Sequence, residues 1–557
     1  MKDYDDKTAF LGQCGRFQLI NFLLLCASIV PNGIVVFSIV FVADVPSHHC
    51  LVPDVNLTQE WRNSTIPNKV VNGKLELSSC SRYRLSVVRN LSAQGLVPGR
   101  DVNLTDLEQE GCVDGWSYSK DIYQSTIVTE FDLVCNEQWK QPFTSTVFFL
   151  GVLCGSFFSG QISDRFGRKP VLFSAIAIQS VIIVAQIFSP SWTIFCILFF
   201  ITGIGRISSY VSAFVLGTEI LSGKVRVLFS SLGVCVSFAI GYMLLPLFAY
   251  FLRDWKSLLF SIFLPTLLYV PLWWVIPESP RWLVTQGRVA EAEAIMRKAA
   301  RLNKVEAPLV IFEDYTTLVS PEETDPKGRP NVFDLLRTGN IRKITVIICL
   351  VWFTFSTGYY GLSLNTSRLH ADPYISSFMS AAIEIPAYVF IWLALRCLRR
   401  KLCLLFTLSV AAVSLFFIQL VPQSLSYLAV ALEMLGKFAV TAGASAIYVV
   451  TAELYPTVLR NTATGTCSIL SRIGGSTAPF LFKLSIYFNY LPYIILGTLA
   501  VGSIIALFFL PETFGKPLPQ VIQQMPKARS GMKTKPSKIH DSNTDIVIIY
   551  FMHRKVY

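Results

Sequence analysis

A stretch at positions 451–460, TAELYPTVLR, constrains the fold most, because the chain holds a second version of it at 218–226, TEILSGKVR. The two versions align without gaps at a spacing of 234 positions, and each begins where a long apolar run ends. A spacing that holds for several motifs predicts two tandem copies of one membrane unit in the same orientation. The positions that repeat at this spacing are Glu219 with Glu453, Arg226 with Arg460, and PES at 277–279 with PET at 511–513.

Each copy holds six apolar runs that are long enough to cross a bilayer. Hydrophobic residues make up 52% of the chain and charged residues 15%, which is far from the composition of a soluble domain. We therefore predict an all-α membrane protein with twelve transmembrane helices. The predicted spans are 17–43, 142–163, 170–189, 192–215, 227–252, 257–276, 341–362, 372–395, 402–421, 425–450, 461–483 and 490–510. They form an N-terminal six-helix bundle at 1–276 and a C-terminal one at 341–510, with a cytoplasmic loop at 277–340 and a cytoplasmic tail at 511–557.

The net charge of +12 is concentrated in short loops between the apolar runs. One such loop is DRFGRK at 164–169, and a second basic loop runs from Arg396 to Lys401. Basic loops are retained on the cytoplasmic side of a membrane, so both termini are predicted to be cytoplasmic. Because the charge follows this topology, it indicates contact with membrane lipid and not with nucleic acid.

The polar segment at 44–141 is predicted to be an extracellular insert after the first helix. It carries nine Lys and Arg against thirteen Asp and Glu, a balance opposite to that of the cytoplasmic loops. Four cysteines predict two disulfides with all three pairings open, and four sequons predict glycosylation. The preceding apolar run is long enough to span the membrane, so it is an anchor and not a cleaved signal. The residues are Cys50, Cys80, Cys112 and Cys135, with Asn56, Asn63, Asn90 and Asn103.

Three further stretches carry local predictions. Pro31-Asn32-Gly33 is predicted to break the first span, either to line a pathway or as a packing kink. The segment 288–301, RVAEAEAIMRKAAR, predicts an amphipathic helix on the inner membrane face. The segment 320–330 is rich in proline, glycine and acidic residues and predicts a linker between the halves.

Several motifs resemble those of one group of transporters, and the resemblance covers residues 2–520. DRFGRK at 164–169 and PESPRWL at 277–283 are similar to signatures of the major facilitator superfamily. Segments 112–135, 217–221 (GTEIL) and 451–461 (TAELYPTVLRN) resemble the organic ion transporter branch, and segments 2–12, 28–33 (SIVPNG) and 232–255 resemble the organic cation/carnitine transporters.

This resemblance implies the major facilitator superfamily fold, with two six-helix bundles and a disulfide-linked extracellular insert. It implies a plasma-membrane carrier that moves carnitine, other quaternary-ammonium solutes or organic cations by alternating access, in some members with sodium. It implies no cofactor, no metal and no enzymatic activity. These relatives end in a ligand for PDZ scaffolds, whereas this chain ends Lys555-Val556-Tyr557, which argues against such anchoring.

Arg472, in SILSRIGGS, is the strongest candidate for substrate binding. Ionisable side chains within spans are costly, and a guanidinium can bind a carboxylate through two parallel hydrogen bonds. Flanking Gly474 and Gly475 are expected to leave room for a solute. In the resembling family the matching arginine is a carboxylate clamp; the alternative is a structural ion pair with Glu384 or another acid.

A quaternary ammonium needs an aromatic cage more than a counter-ion. Tyr359 and Phe238 match cavity positions of the family, and Gln179 is a polar candidate beside them. Ala444 and Val450 stand where the family tends to carry aromatic residues, which predicts a larger or reshaped pocket. Further candidates for substrate binding are Trp352, Tyr360, Tyr448 and Glu384, whereas Glu433 and Lys437, four positions apart, are predicted to form a structural pair.

Arg206 departs from the family pattern Gly-Gln-Ile-Ser-Asn-Tyr, because this chain reads GRISSY at 205–210. Glutamine and asparagine supply carbonyl oxygens of the kind that sodium binds, and a guanidinium would repel the ion. We hypothesise that Arg206 replaces the charge of sodium and that transport is sodium-independent. If an ion is bound, the candidates are Asn32, Ser209 and Tyr210.

Charged residues at the cytoplasmic ends of the spans predict a latch between helices that opens with the inner gate. The alternative is a static set of charges that fixes the topology. The predicted latch consists of the pairs Glu219 with Arg226 and Glu453 with Arg460, together with Asp164 and Arg168.

Other functions receive less support from the sequence. The segment 217–225 has the wrong spacing for a nucleotide-binding loop, and the five histidines all lie outside the spans. The nearest rival is a transporter of organic anions that uses Arg206 and Arg472, and a third reading is a receptor built on a carrier fold. Uptake competition between tetraethylammonium and an aromatic carboxylate would separate cation from anion transport.

Overall fold

The computed structural model describes residues 2–12, 14–53, 56–71, 74–312, 335–365 and 372–514. The predicted linker at 320–330 and the tail after residue 514 lie outside the described residues. The chain divides into two compact units. The larger unit comprises residues up to 40, residues 144–250 and residues from 259 onward, and the smaller unit comprises 41–143 and 251–258.

Twelve long helices are present in the described residues, six in each half of the chain. Eleven of them are long and apolar enough to cross a membrane. The twelfth, α11, has 27 residues but a more polar composition. The first six are α1 (Arg16–Val42), α2 (Cys135–Phe166), α3 (Arg168–Ile187), α4 (Trp192–Ile220), α5 (Gly223–Phe251) and α6 (Trp255–Trp274). The second six are α7 (Gly339–Leu364), α8 (Pro373–Cys397), α9 (Arg400–Ile418), α10 (Ser426–Leu454), α11 (Thr457–Lys483) and α12 (Leu491–Phe508).

The helix ends follow from local chemistry. Gly167 has a φ of 102°, which favours glycine, and this turn separates α2 from α3 inside DRFGRK. In α8, Ile383 interrupts the helix between Pro373–Ala382 and Glu384–Cys397. Pro386 lacks an N–H and its ring conflicts with the carbonyl of Ala382, so the interruption lies one turn before the proline.

The expected break of α1 at Pro31-Asn32-Gly33 is wrong. The helix runs without interruption from Arg16 to Phe37, and its break lies later, at Ser38. Gly33 instead permits a close crossing with α5: a Cβ atom there would lie 2.2 Å from the carbonyl oxygen of Phe238. Gly241 of α5 faces the carbonyl of Val30 in the same way. The glycine of the motif therefore serves close packing of two helices.

The smaller unit contains three two-stranded antiparallel sheets. Its disulfides join Cys50 to Cys112 and Cys80 to Cys135, which confirms two bridges and selects one of the three pairings. All four predicted glycosylation asparagines are exposed. The strands are β1 (His48–Cys50), β2 (Asn68–Val71), β3 (Lys74–Leu77), β4 (Ser81–Tyr83), β5 (Gln109–Gly111) and β6 (Trp116–Tyr118), paired β1 with β6, β2 with β3 and β4 with β5. The short helices are Gln59–Ser64, Leu85–Ala93 and Ile127–Glu130.

The predicted amphipathic helix is present as Val289–Asn303, after a short helix at Pro280–Thr285. Its apolar face is covered by protein, since Met296 and Ala300 are buried in the core of the N-terminal half. Asn303 holds it in place: its Oδ1 accepts a hydrogen bond from the Phe17 N–H at 2.9 Å, and its Nδ2 donates to Gln18 at 2.8 Å. This face is thus used for packing against the N-terminal half.

Candidate functional site

Two arginines from opposite halves of the chain share one environment. Arg206 lies on α4 and Arg472 lies on α11. Their charges repel one another, and both interact electrostatically with the phenols of Tyr210, Tyr360 and Tyr448. Neither guanidinium pairs with a carboxylate in the described part of the chain. We call the space between these five residues the central chamber.

Arg472 is half-buried and only weakly held. Its Nη1 atom is 3.5 Å from the hydroxyl of Tyr360, and its Nε atom has no hydrogen-bonding partner among the described residues. Glu384 pairs with another residue, so the alternative of an Arg472–Glu384 pair does not hold. Gly474 and Gly475 do not leave room for a solute: Cβ atoms there would lie 2.8 Å from Thr357 Oγ1 and 2.9 Å from the Tyr360 ring. These glycines let α11 approach α7 closely.

Arg206 is 5% exposed, and its Nε atom has no partner among the described residues. The guanidinium carbon lies 5.6 Å from the ring centre of Tyr210 and 5.6 Å from that of Phe238. Cation–π contacts of this kind stabilise a guanidinium without neutralising it. Phe238, predicted to cage a substrate ammonium, therefore already carries a cation of the protein.

Tyr359, the second predicted cage residue, also carries a protein cation. The Lys437 ammonium lies 3.6 Å from its ring centre and 2.9 Å from Glu384 Oε1, and it donates to the hydroxyl of Ser363. Lys437 and Glu384 are 1% and 0% exposed, and Tyr388 donates to the other Glu384 oxygen at 3.3 Å. Glu384 is thus neutralised within the C-terminal half.

The predicted pair between Glu433 and Lys437 is wrong. Lys437 pairs with Glu384, and Glu433 accepts hydrogen bonds from neutral groups, Tyr493 at 2.9 Å and Asn365 at 3.5 Å. The spacing along α10 suggested the pair, but α8 brings its own acid closer to the ammonium. Asn365 is buried at this contact.

The remaining aromatic candidates differ in exposure. Trp352 is 2% exposed and donates from Nε1 to Thr451 Oγ1 at 2.9 Å, so it belongs to the core of the C-terminal half. Tyr448 packs edge-on against it at 4.2 Å and is 50% exposed, so its ring reaches open space. Val450 is buried in the same core.

The candidates for ion coupling separate into two places. Asn32, Gln179 and Ser209 line a cavity of about 10 Å³, enough for one water-sized sphere. Ser209 Oγ donates to Asn32 Oδ1 at 3.2 Å. Tyr210 is not among the lining residues and lies beneath Arg206.

Hydrogen bonds join the N-terminal and C-terminal halves of the chain. Thr146 of α2 donates to the carbonyl of Ser476 in α11 at 2.8 Å, and the Tyr242 hydroxyl of α5 lies 3.3 Å from Ser380 Oγ in α8. Phe149 of α2 packs edge-on against Tyr360 of α7, with ring centres 4.6 Å apart. These contacts connect the N-terminal half to the C-terminal half.

The gating residues form ion pairs within each half. Arg168 pairs with Asp164 at 2.6 Å and with Glu219 at 3.1 Å, and Arg400 pairs with Glu453 at 3.0 Å. Both arginines also donate to a carbonyl five residues earlier, Ser163 and Leu395. The expected pairs Glu219–Arg226 and Glu453–Arg460 are wrong: Arg168 and Arg400 take those carboxylates instead. The predicted latch did not include Arg400, although the basic loop from Arg396 to Lys401 is the counterpart of the loop that holds Arg168.

Glu278 of PES caps the beginning of α3. Its carboxylate accepts hydrogen bonds from the backbone N–H groups of Arg168 and Lys169, both at 3.1 Å. Burial raises the pKa of Glu278, and the hydrogen bonds from Ser279, Lys169 and Arg168 only partly oppose that increase. In the second copy, Glu512 accepts from the N–H groups of Thr513 and Phe514.

If the ion pairs act as a latch, reversing the charge of Glu453 should impair transport more than folding. We expect Glu453→Arg to reduce solute uptake by at least about 10-fold per molecule at the cell surface, because the buried Arg400 would lose its carboxylate partner. Uptake normalised to surface-biotinylated protein measures this. The double variant Arg400→Glu/Glu453→Arg should recover part of the loss. A static anchoring role would instead lower surface amount and uptake together.

Comparisons with known proteins agree with this architecture. Residues 113–524 match the family model described as sugar (and other) transporter. The chain is 52% identical to the rat protein named organic cation/carnitine transporter 2, over 94% of each chain. It is 50% identical to the mouse protein named solute carrier family 22 member 4, over 99% of this chain and 100% of the relative. An inward-open structure of the xylose transporter XylE from E. coli superposes with a TM-score of 0.61 at 16% identity, covering 91% of this chain and 100% of that chain.

Proposed function

The chain belongs to the sugar (and other) transporter family and, within it, to the organic cation/carnitine transporters, and from this premise we propose that it is a plasma-membrane carrier for carnitine-like zwitterions and organic cations. It is a multi-pass membrane transporter and not an enzyme. The proposed mechanism is alternating access, in which the two halves rock about the central chamber.

The single observation that carries the proposed solute class is the half-buried Arg472, a guanidinium with no carboxylate partner in the described residues. A charge in such a place is costly unless a partner arrives. A solute carboxylate could satisfy it through two parallel hydrogen bonds, from the Nε atom that lacks a partner and from a neighbouring N–H group. The name of the rat relative supports carnitine as the solute.

Contacts between the halves support the alternating-access part of the proposal. The hydrogen bond from Thr146 to Ser476 and the contact of Tyr242 with Ser380 hold the halves together. In the proposed cycle these contacts form in one state and separate in the other.

Sodium independence is a further part of the proposal. Arg206 places a fixed positive charge on the same face of α4 as Ser209, one turn away, and Ser209 Oγ donates to the Arg206 carbonyl at 2.9 Å. A sodium ion in the small polar cavity would experience this charge at low effective dielectric. The cavity also lacks a carboxylate among its lining residues. We therefore propose that Arg206 supplies permanently the charge that sodium supplies in some relatives.

The test is a panel of radiolabelled uptakes in injected oocytes. We expect carnitine to accumulate above water-injected controls and to do so equally, within about 2-fold, when sodium is replaced by choline or lithium. The matched variant Arg206→Gln restores the family residue and should introduce sodium dependence. Wild-type uptake that collapses without sodium would refute sodium independence, and a lack of uptake of carnitine and of tetraethylammonium would refute the carrier assignment.

A further inference from the structure

Arg206 differs from the other buried cations of the membrane helices. Arg168, Arg400 and Lys437 each pair with a carboxylate of the same half. Arg206 is equally buried, and no acidic partner for it is present in the described residues. Burying a charge without a partner is expensive, so a site that keeps one is built for a ligand of opposite charge.

The proposed clamp at Arg472 does not use the charge of Arg206. A carnitine-like zwitterion brings one carboxylate, which Arg472 binds, and one ammonium, which adds a further positive charge. Two ring faces that could receive that ammonium, Phe238 and Tyr359, are already covered by Arg206 and Lys437. When a zwitterion is bound, the chamber therefore still has an excess of positive charge.

We propose that Arg206 forms a second anion subsite and that the preferred solutes carry two acidic groups, one at each end. This inference rests on the proposed function, because it assigns the second end of the same solute. Arg472 from the C-terminal half binds one carboxylate, and Arg206 from the N-terminal half binds the other. Tyr210 lies with its ring centre 5.6 Å from Arg206, and the Tyr360 hydroxyl lies 3.5 Å from Arg472, so phenols flank both guanidiniums and can donate hydrogen bonds to the middle of the solute.

The placement of the two arginines also gives the second acidic group a mechanical role. Because the arginines belong to different halves, a solute bound at both ends links α4 to α11. It would also screen the repulsion between the two guanidiniums, which otherwise opposes a close approach of the halves. A solute with two acidic groups is therefore expected to favour the closed chamber more than one with a single acidic group.

A matched pair of carnitine esters tests the subsite. The glutaryl ester ends in a free carboxylate, and its methyl ester has the same chain without that charge. Both are titrated against uptake of labelled carnitine in oocytes. We expect the glutaryl ester to inhibit wild-type uptake at a concentration at least about 10-fold lower than its methyl ester.

Two variants test whether the preference for the glutaryl ester over its methyl ester depends on Arg206. In Arg206→Gln the ratio of the two inhibitory concentrations should fall to about one, and in Arg206→Lys, which keeps the charge but loses the planar fork, it should be intermediate. The ratio is taken within each variant, so it does not depend on surface amount or overall uptake. Equal inhibition by the two esters in wild type, or a preference that survives in Arg206→Gln, would overturn the proposal.

Two further arms separate this inference from its alternatives. Replacement of chloride by gluconate tests whether a free inorganic anion binds at Arg206. If uptake depends on chloride and the two esters inhibit equally, Arg206 does not bind a second acidic group of the solute. Absence of any carnitine uptake in wild type would count against the proposed function. Carnitine uptake without an ester preference would count against the second subsite alone.

Discussion

Replacing Arg472 by alanine is expected to reduce carnitine uptake by about 30-fold to 3,000-fold, the largest effect that we predict for transport. Truncating one partner of a buried charge pair typically costs about 2–5 kcal/mol, and each 1.4 kcal/mol corresponds to about tenfold in affinity. The solute carboxylate would enter the chamber without its guanidinium partner. The measurement is the concentration dependence of labelled carnitine uptake, normalised to surface-biotinylated protein.

Matched variants separate the effect of the positive charge of Arg472 from the effect of the shape of its guanidinium. Arg472→Lys keeps a positive charge but cannot form two parallel hydrogen bonds, so we expect an intermediate loss. Tyr360→Phe removes the hydroxyl that lies 3.5 Å from Arg472 and should change uptake only slightly, since that contact is long. Tetraethylammonium has no carboxylate, so its uptake should not fall in Arg472→Ala. Parallel loss of both solutes would assign Arg472 a structural role and contradict the clamp.

The architecture could be predicted because it depends on patterns that lie along the chain. Apolar runs of sufficient length must cross the membrane as helices, and the repeat at 234 positions places the two bundles in the same orientation. Arg400 lies in the basic loop equivalent to the loop of Arg168, and like Arg168 it donates to a carbonyl five residues earlier. Among the twelve helices of the described residues, α11 alone is not apolar enough to be identified as a membrane span by its hydropathy. Its polar residues include the candidate Arg472.

The partners of the buried charges could not be predicted, because they depend on rotation of the helices. Glu433 and Lys437 lie one turn apart on α10, and spacing along a helix alone favours their pairing. The helix directs Lys437 towards α8 instead, where Glu384 and the ring of Tyr359 receive it. Gly33 is similar: its sequence context allows a break, and only its contact with Phe238 of α5 shows that it permits close packing.

Replacing Lys437 by methionine is expected to produce the largest loss of stability. Glu384 is fully buried, and removing the ammonium 2.9 Å away would leave its charge without a cationic partner. Breaking a buried ion pair on one side costs about 3–5 kcal/mol. We expect a lower midpoint of thermal unfolding for the purified protein in detergent, with less protein at the cell surface.

The double variant Glu384→Gln/Lys437→Met provides the control, because it removes both charges and leaves Tyr388 a neutral group to which it can donate. Replacing a buried pair as a whole is often neutral, so we expect most of the stability to return. A double variant as unstable as Lys437→Met would show that the ammonium acts through Tyr359 and Ser363 rather than through Glu384. If stability recovers but uptake does not, the Lys437 ammonium on the Tyr359 ring shapes the chamber for its solute. The ion pair with Glu384 alone does not require such a role.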